Sequence, residues 1–351
     1  MKNARGFTLL ELAISMGIML VAIVATCVML MEGQRFARNA EEVSQSNDSS
    51  RMAGEFILSA LRIAGMGGAM GVWINNAGTP HLISPIFGSD NIGAAGNTDD
   101  IWMILPDRRA FQDSLCQPGS GGAASLVSGG TGPLNVTCTD SLFAGGQPAP
   151  TLLLVTNFAG PAALLTRPLV GTPAPAGSVT PGTINYDEAG LPSFPPRGFL
   201  VGDIVFGATV ARFFIDVDAS GRKGLYREQG TLSGNTPPSF LNGTTSRMLL
   251  QNDIEDLQVS YATDPTNSGL PGNYIFSNGF PDAMGAAPLR GVRVNVVSTH
   301  KRRMTKGDTS GITFYQPLSI ENHPSTGVID AFRRSLSARR LELQNLNPGN
   351  L

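Results

Sequence analysis

Apolar positions run almost unbroken from Phe7 to Met31, a stretch with one charged side chain, Glu11, and no proline. At ~1.5 Å of rise per residue, a helix of that length crosses a ~30 Å hydrocarbon core. A secretory signal has an apolar core of only ~7 to 15 residues followed by a small-residue cleavage site, and neither feature is present. No proline occurs before Pro80, so the helix is expected to continue beyond the apolar run. Phe36, Ala40, Val43 and Asn47 keep one helical face, and Met52, Phe56, Ala60 and Ile63 form a second apolar stripe, read as the face that packs on a sheet. Between them Asn47-Asp48-Ser49-Ser50 is rich in N-capping residues and predicts a kink. Gly65, Gly67 and Gly68 end the helix.

Downstream the period changes from helical to short and alternating. Val72-Trp73-Ile74, Ile101 to Leu105 and Thr151 to Thr156 read as strands between Gly, Asn and Asp turns. Gly202 to Gly207 reads as one strand, followed by a hairpin from Ala211-Arg212-Phe213-Phe214-Ile215-Asp216 to Gly224-Leu225-Tyr226-Arg227-Glu228. Met248 to Tyr261 reads as a short turn leading into a strand; Val292, Val294 and Val296 share one face of another, and Phe332 to Leu343 closes the chain's ordered pattern. Residues 116–150 and 171–198 are rich in Gly, Pro, Ser and Ala, the first predicting a mobile surface loop. The fold class is α+β: a long N-terminal helix, half in the membrane and half exposed and amphipathic, packed on an antiparallel β-rich domain with long Pro/Gly-rich loops.

Composition narrows the chemistry. The chain has 351 residues, 15% of them charged, with a net charge near −2 that excludes a globally basic nucleic-acid binder. Lys2 and Arg5 precede the apolar run, so the positive-inside rule keeps this short leader in the cytoplasm and puts the remaining ~320 residues across the membrane. Cys27 falls within the apolar helix as a small hydrophobe. Cys116 and Cys138, an even pair in an oxidising compartment, predict a disulfide. Closing that loop stabilises by roughly 3 kcal/mol in the chain-entropy model.

His81, His300 and His323 are far apart, and no nucleophile elbow, phosphate loop or metal spacing is present. The sequence reads as no enzyme, with no cofactor and no metal site. Asp216 to Gly221 imitates the first half of a calcium loop, but Arg227 occupies the position of the closing glutamate, which favours a plain Asp/Gly turn. His300-Lys301-Arg302-Arg303 with Lys306, near Arg290 and Arg293, and the pairs Arg333-Arg334 and Arg339-Arg340 form the main basic clusters. Without interleaved aromatics they read as solvated strand ends paired to local carboxylates, and nucleic acid is set aside as a partner.

Glu11 is the anomaly, because a carboxylate at the bilayer centre costs roughly 2.5 to 3.5 kcal/mol and wants a partner. Nothing nearby in the helix supplies one; the bland alternative is that it lies near the cytoplasmic end and reaches water. Read with its neighbours, Gly6-Phe7-Thr8-Leu9-Leu10-Glu11 resembles the processing motif of type IV prepilins and type II secretion pseudopilins. The resemblance implies that a prepilin peptidase cuts between Gly6 and Phe7 and N-methylates Phe7. It also implies that Glu11 is an assembly residue, pairing with the amine of a neighbouring subunit.

Arg51 to Gly68, the Phe213 to Arg227 hairpin, Asp253 to Tyr261, Val292 to Val297 and the closing Arg-Arg strand together resemble the PilW family of minor pilins. The pseudopilin GspJ has a similar layout. This resemblance implies residues 1–6 as cytoplasmic leader, 7–31 as the transmembrane half of the helix, 32–66 as its exposed half and 67–351 as a periplasmic or extracellular β-rich domain. It further implies an inner-membrane, single-pass precursor that primes pilus assembly and ends at or near the pilus tip. Its partners would be other minor pilins, the major pilin and a tip adhesin. A secretion pseudopilin, or a tip subunit binding surfaces or DNA, are the alternatives.

Overall fold

The computed structural model describes residues 8–64, 71–76, 78–90, 98–106, 116, 123–140, 142–143, 152–158, 160–175, 178–189, 194–233, 239–241, 247–266, 268, 273–277, 289–299 and 334–342. Helix α1 (Leu9–Ile63) is unbroken, with Thr8 as its N-cap and Ala64 as its C-cap. The polar run at 47–50 does not split the helix in two: neither Pro nor Gly interrupts the segment, and its side chains are engaged by strands instead of capping a second helix.

The first strands are β1 (Val72–Asn76), β2 (Thr79–Ile83), β3 (Ile86–Ser89) and β4 (Asp100–Pro106). They are followed by β5 (Ala124–Ser128), β6 (Leu134–Val136), β7 (Leu152–Thr156), β8 (Ala162–Thr166), β9 (Leu169–Thr172) and β10 (Gly182–Asn185). Next come β11 (Ile204–Val217), β12 (Lys223–Ser233), β13 (Ser239–Leu241) and β14 (Met248–Asn252), all of these in one sheet. A second sheet runs β16 (Ile275–Ser277), β15 (Ile254–Thr263), β17 (Leu289–Thr299), β18 (Arg334–Glu342) in spatial order. Pairing is antiparallel except for β1 with β8, which is parallel.

The expected hairpin is present as β11 with β12, but the expected strand at 202–207 and the hairpin's first arm at 211–216 are one long strand, β11. Its N-terminal half pairs with β7, its C-terminal half with β4 and β12, and Ala208, Thr209 and Val210 continue the ladder through the gap left between the two expected pieces. Similarly, 248–261 is two strands in different sheets. The chain crosses over at Asp253, whose positive φ of 60° turns it and whose N–H and C=O are taken by Lys223 and Thr299. Asp99 pins the sheets together: its N–H donates to the Leu257 carbonyl at 2.9 Å and its Oδ2 accepts from the Val259 N–H at 2.7 Å.

Two of the cores divide the long strand. One lies under α1, where Ala53, Ile57, Leu58 and Leu61 meet Ile101, Met103, Phe213 and Ile215 of the first sheet and Leu257, Val259, Val292, Val294 and Val296 of the second. The other lies at the far end, built by Ala124, Leu126, Leu134, Val136, Leu153, Val155, Ile184, Phe194 and Val205. The mobile loop expected at 116–150 is corrected here, because β5 and β6 form a paired hairpin whose apolar residues face this core. Within 171–198, likewise, β10 pairs with both β6 and β9, and Ile184, Tyr186 and Phe194 are buried.

The helix face also differs from expectation. Met52 and Phe56 are 50% and 38% exposed, whereas the buried face is Ser46, Ser49, Ser50, Ala53, Gly54, Ile57, Leu58, Ala60 and Leu61. Small residues let α1 lie close to β18: a Cβ on Gly54 would stand 3.8 Å from both Arg339 Cγ and Ser337 Oγ. Ala60 alone belongs to the predicted stripe and to the buried face.

Candidate assembly site

The first turn of α1 closes on itself. The Thr8 N–H and the Thr8 hydroxyl each donate to Glu11 Oε2 at 3.0 Å, and the Glu11 N–H donates back to Thr8 Oγ1 at 3.3 Å. This is a capping box, which satisfies backbone donors that a helix start otherwise leaves open. Glu11 therefore has a local partner, contrary to the expectation that none was near. The partner is neutral, so the carboxylate's charge is hydrogen-bonded without being neutralised, and Oε1 takes no hydrogen bond from the described residues. Gly6 and Phe7 lie outside the described residues.

From Leu9 to Arg38 every side chain of α1 is exposed, and the segment is long and apolar enough to cross a membrane. The helix thus presents an apolar rod with one unneutralised carboxylate near its start, and it is gripped by the β-rich domain only from its second half onward. Such a rod has no folded core of its own to enter, and its apolar surface is satisfied by lipid or by other helices.

The disulfide is present between Cys116 and Cys138, with Cα atoms 5.7 Å apart. It straps the base of the β5–β6 hairpin, where the Cys116 N–H also donates to the Ala123 carbonyl at 2.9 Å and the Thr137 N–H donates to Ser125. Cys27 lies free on the exposed apolar helix.

The turn that imitates a calcium loop is built by hydrogen bonds. Asp218 Oδ1 accepts from the Ser220 N–H, the Ser220 hydroxyl and the Arg222 N–H, while Asp218 Oδ2 meets Arg222 Nε at 3.3 Å. These donors, led by the Ser220 hydroxyl, hold the Asp218 carboxyl down at about 2. Asp216 pairs with Arg247 at 2.8 Å. No group of three or more potential metal ligands occurs among the described residues.

Four arginines of the basic clusters within the described residues have carboxylate neighbours. Arg334 donates to Glu255 at 2.8 Å, Arg339 meets Glu55 at 4.0 Å, Arg340 meets Glu342 at 3.5 Å and Arg290 approaches Asp264 at 4.0 Å. Sequence reading missed the aromatics beside them: the Arg293 and Arg340 guanidiniums lie 4.2 and 5.2 Å from the Phe276 ring centroid. Phe276 arrives from β16, distant in sequence, and only the pairing of β15 with β16 brings it there. His300 to Arg303, Lys306, Arg333 and His323 lie outside the described residues.

An N-terminal apolar helix opened by a Thr8–Glu11 capping box, its far half laid on antiparallel sheets, fits a membrane-anchored protein of prepilin type. The prokaryotic N-terminal methylation motif matches residues 1–26, which include Gly6, Phe7 and Glu11. Residues 212–345, from the middle of β11 past the end of β18, match the family of the Type IV pilus-assembly protein W. Over these two stretches the chain is similar to type IV prepilins and to the PilW family, which supports a prepilin-like protein with a minor-pilin-like role. Both matches point to pilus structure and assembly and to no enzyme family. Comparison with curated proteins and with solved structures gives no match.

Proposed function

We propose that this chain is a minor type IV pilin that primes pilus assembly and sits at or near the pilus tip, in a complex with other minor pilins. A prepilin peptidase removes residues 1–6 and N-methylates Phe7, leaving a cationic amine four residues before Glu11, whose carboxylate then faces the amine of a neighbour. The observation that carries the proposal is the chemistry of Glu11: one carboxylate oxygen held by Thr8, the other open, on an apolar helix with no other charge up to Met31. A charge held this way in lipid is satisfied best by an opposite charge from another chain, so assembly and not the monomer is its neutralised state.

In this account α1 anchors the precursor in the inner membrane with the β-rich domain in the periplasm. The helix then leaves the bilayer and joins a bundle of like helices with the major pilin and the other minor pilins. A tip adhesin is the remaining partner, and the surfaces it would use are those away from α1. Glu11→Ala tests the proposal: processing at Gly6 should continue while incorporation into sheared surface filaments and twitching motility are lost. Normal incorporation of Glu11→Ala would overturn it. Loss of protein secretion with intact motility on deleting the chain would make it a secretion pseudopilin instead.

A further inference from the structure

The grip of the domain on α1 changes character along the helix. From Ala53 to Leu61 the contact is apolar, with Ile57, Leu58 and Leu61 sunk into the core. From Ser46 to Ser50 the buried residues are all serines, and the contact is made of hydrogen bonds to three different strands. The Ser46 and Ser298 hydroxyl oxygens lie 2.8 Å apart, and the Ser298 hydroxyl is also 2.7 Å from the Ser46 carbonyl. The Gln251 amide donates to the Ser49 hydroxyl at 3.0 Å, and the Ser335 hydroxyl donates to Asn47 Oδ1. Below this seam residues 32–45 form about 20 Å of helix before the apolar run, and Asn39, Glu42 and Val43 are only half-buried.

We infer that the seam at Ser46 to Ser50 is a hinge, which opens and lets the membrane half of α1 change direction while the apolar clamp at Ala53 to Leu61 stays closed. The inference rests on the filament reading for its purpose, since a subunit passing from a flat bilayer into a helix bundle must redirect its anchor relative to its domain. The physical basis is independent of that reading. Opening the seam exchanges hydroxyl and amide hydrogen bonds for equivalent ones to water, an almost balanced trade, and gives up no fully buried apolar side chain of α1. Opening the clamp would expose Ile57, Leu58 and Leu61 to water.

The helix itself is weakest at the same place. Serine, asparagine and aspartate compete for backbone hydrogen bonds and are poor helix formers. The Ser50 hydroxyl already donates back to the Asn47 carbonyl at 3.0 Å, a contact that favours bending. The polar run that predicts a kink from sequence thus stays within one continuous helix when docked, its side chains bonded to the three strands.

The test uses the full chain in detergent micelles or nanodiscs, on a Cys27→Ser background that leaves the Cys116–Cys138 disulfide as the only cysteine pair. Amide exchange at residues 47–52 should be at least about tenfold faster than at residues 57–63, as expected for a local opening below global unfolding. Equal protection in the two segments would overturn the hinge. Ser46→Cys with Ser298→Cys then locks the seam through a disulfide, while Ser46→Ala with Ser298→Ala leaves it unlockable. The locked pair should show protection at 47–52 raised to the level of the clamp and should be missing from surface filaments, with the alanine pair incorporated as wild type. Incorporation of the locked pair at wild-type level would overturn the coupling of hinge to assembly. Absence of the wild-type chain from filaments would count against the proposed function, and the exchange measurement would still decide the hinge.

Discussion

In the half of the molecule that holds α1, charged side chains are drawn into ion pairs on both faces: Arg212 with Asp100 and Glu228 on the sheet face away from the helix, Arg334 with Glu255, and Arg339 with Glu55 of the helix itself. In the 116–205 region the charged residues are only Asp140, Arg167, Asp187, Glu188, Arg197 and Asp203. Four of these form the pairs Arg167–Asp187 and Arg197–Asp203. This far region is held by a disulfide, by short hairpins and by single buried polar groups such as Glu188, whose two oxygens accept from the Thr166 N–H at 2.9 Å and the Thr166 hydroxyl at 2.7 Å. The family match covers the second half of the helix-docked region and none of the far one. Both regions share β11, so one strand carries two kinds of cohesion: a packed, ion-paired platform for the helix, and a covalently strapped extension.

The comparison can be broken most severely at the clamp. Ile57→Ala should lower stability by ~2 to 5 kcal/mol, because it removes a fully buried side chain from the core that joins the helix to both sheets. Met52→Ala, on the stripe that sequence alone would choose, should cost less than about 1 kcal/mol, since half of that side chain is already in water. Urea unfolding of both variants ranks the two faces, and the reverse order would contradict the docking described.

Removing the disulfide by Cys116→Ser with Cys138→Ser should cost about 3 kcal/mol. The loss should be regional: amide exchange should rise in β5, β6 and β10 and stay unchanged in β17 and β18. A uniform rise would mean that the two regions unfold as one unit.

Smaller effects separate the regions by pH. Burial pushes the Glu188 carboxyl above its ordinary value of 4.5, with the Thr166 hydrogen bonds opposing the rise. The folded chain then holds this proton more tightly than the unfolded chain. The stabilisation from Glu188 is therefore fully present below pH 4.5 and is lost as pH rises through the folded value. Glu188→Gln should flatten that slope, whereas Glu188→Ala should cost ~1 to 3 kcal/mol by orphaning the Thr166 donors. Asp218, held at about 2, has the opposite sign: its contribution is present above the ordinary 3.8 and fades as pH falls toward 2. Asp218→Asn should give the smallest change of the series, visible as a reduced acid sensitivity of the β11–β12 turn.

What was legible in the sequence follows from how local each signal is. The apolar run, the Gly6-Phe7 junction and Glu11 lie within one continuous stretch, and the cysteine pair needs only a compartment to be read. The capping box was equally local, since Thr8 and Glu11 stand at the spacing of that motif, but the carboxylate drew attention to partners in other chains first. The docking face of α1 was misread because Met52 and Phe56 are larger than Ala53 and Gly54, while close helix–sheet approach favours the small residues. The strands β5, β6 and β10 were hidden by brevity: three to five residues apiece, with alternating apolar positions diluted by Gly, Ser and Pro. The aromatic partners of Arg293 and Arg340 depended on strand pairing and carried no local mark at all.

The central claim is that this chain is processed at Gly6 and enters a filament through Glu11. Mass spectrometry of its N-terminal peptide, in sheared surface filaments and in inner membranes side by side, tests that most directly. The account predicts a peptide beginning at N-methylated Phe7 in the filament fraction, scarce beside one dominant pilin. A chain that keeps Met1 and stays confined to the inner membrane would contradict it and leave an ordinary single-span anchored domain.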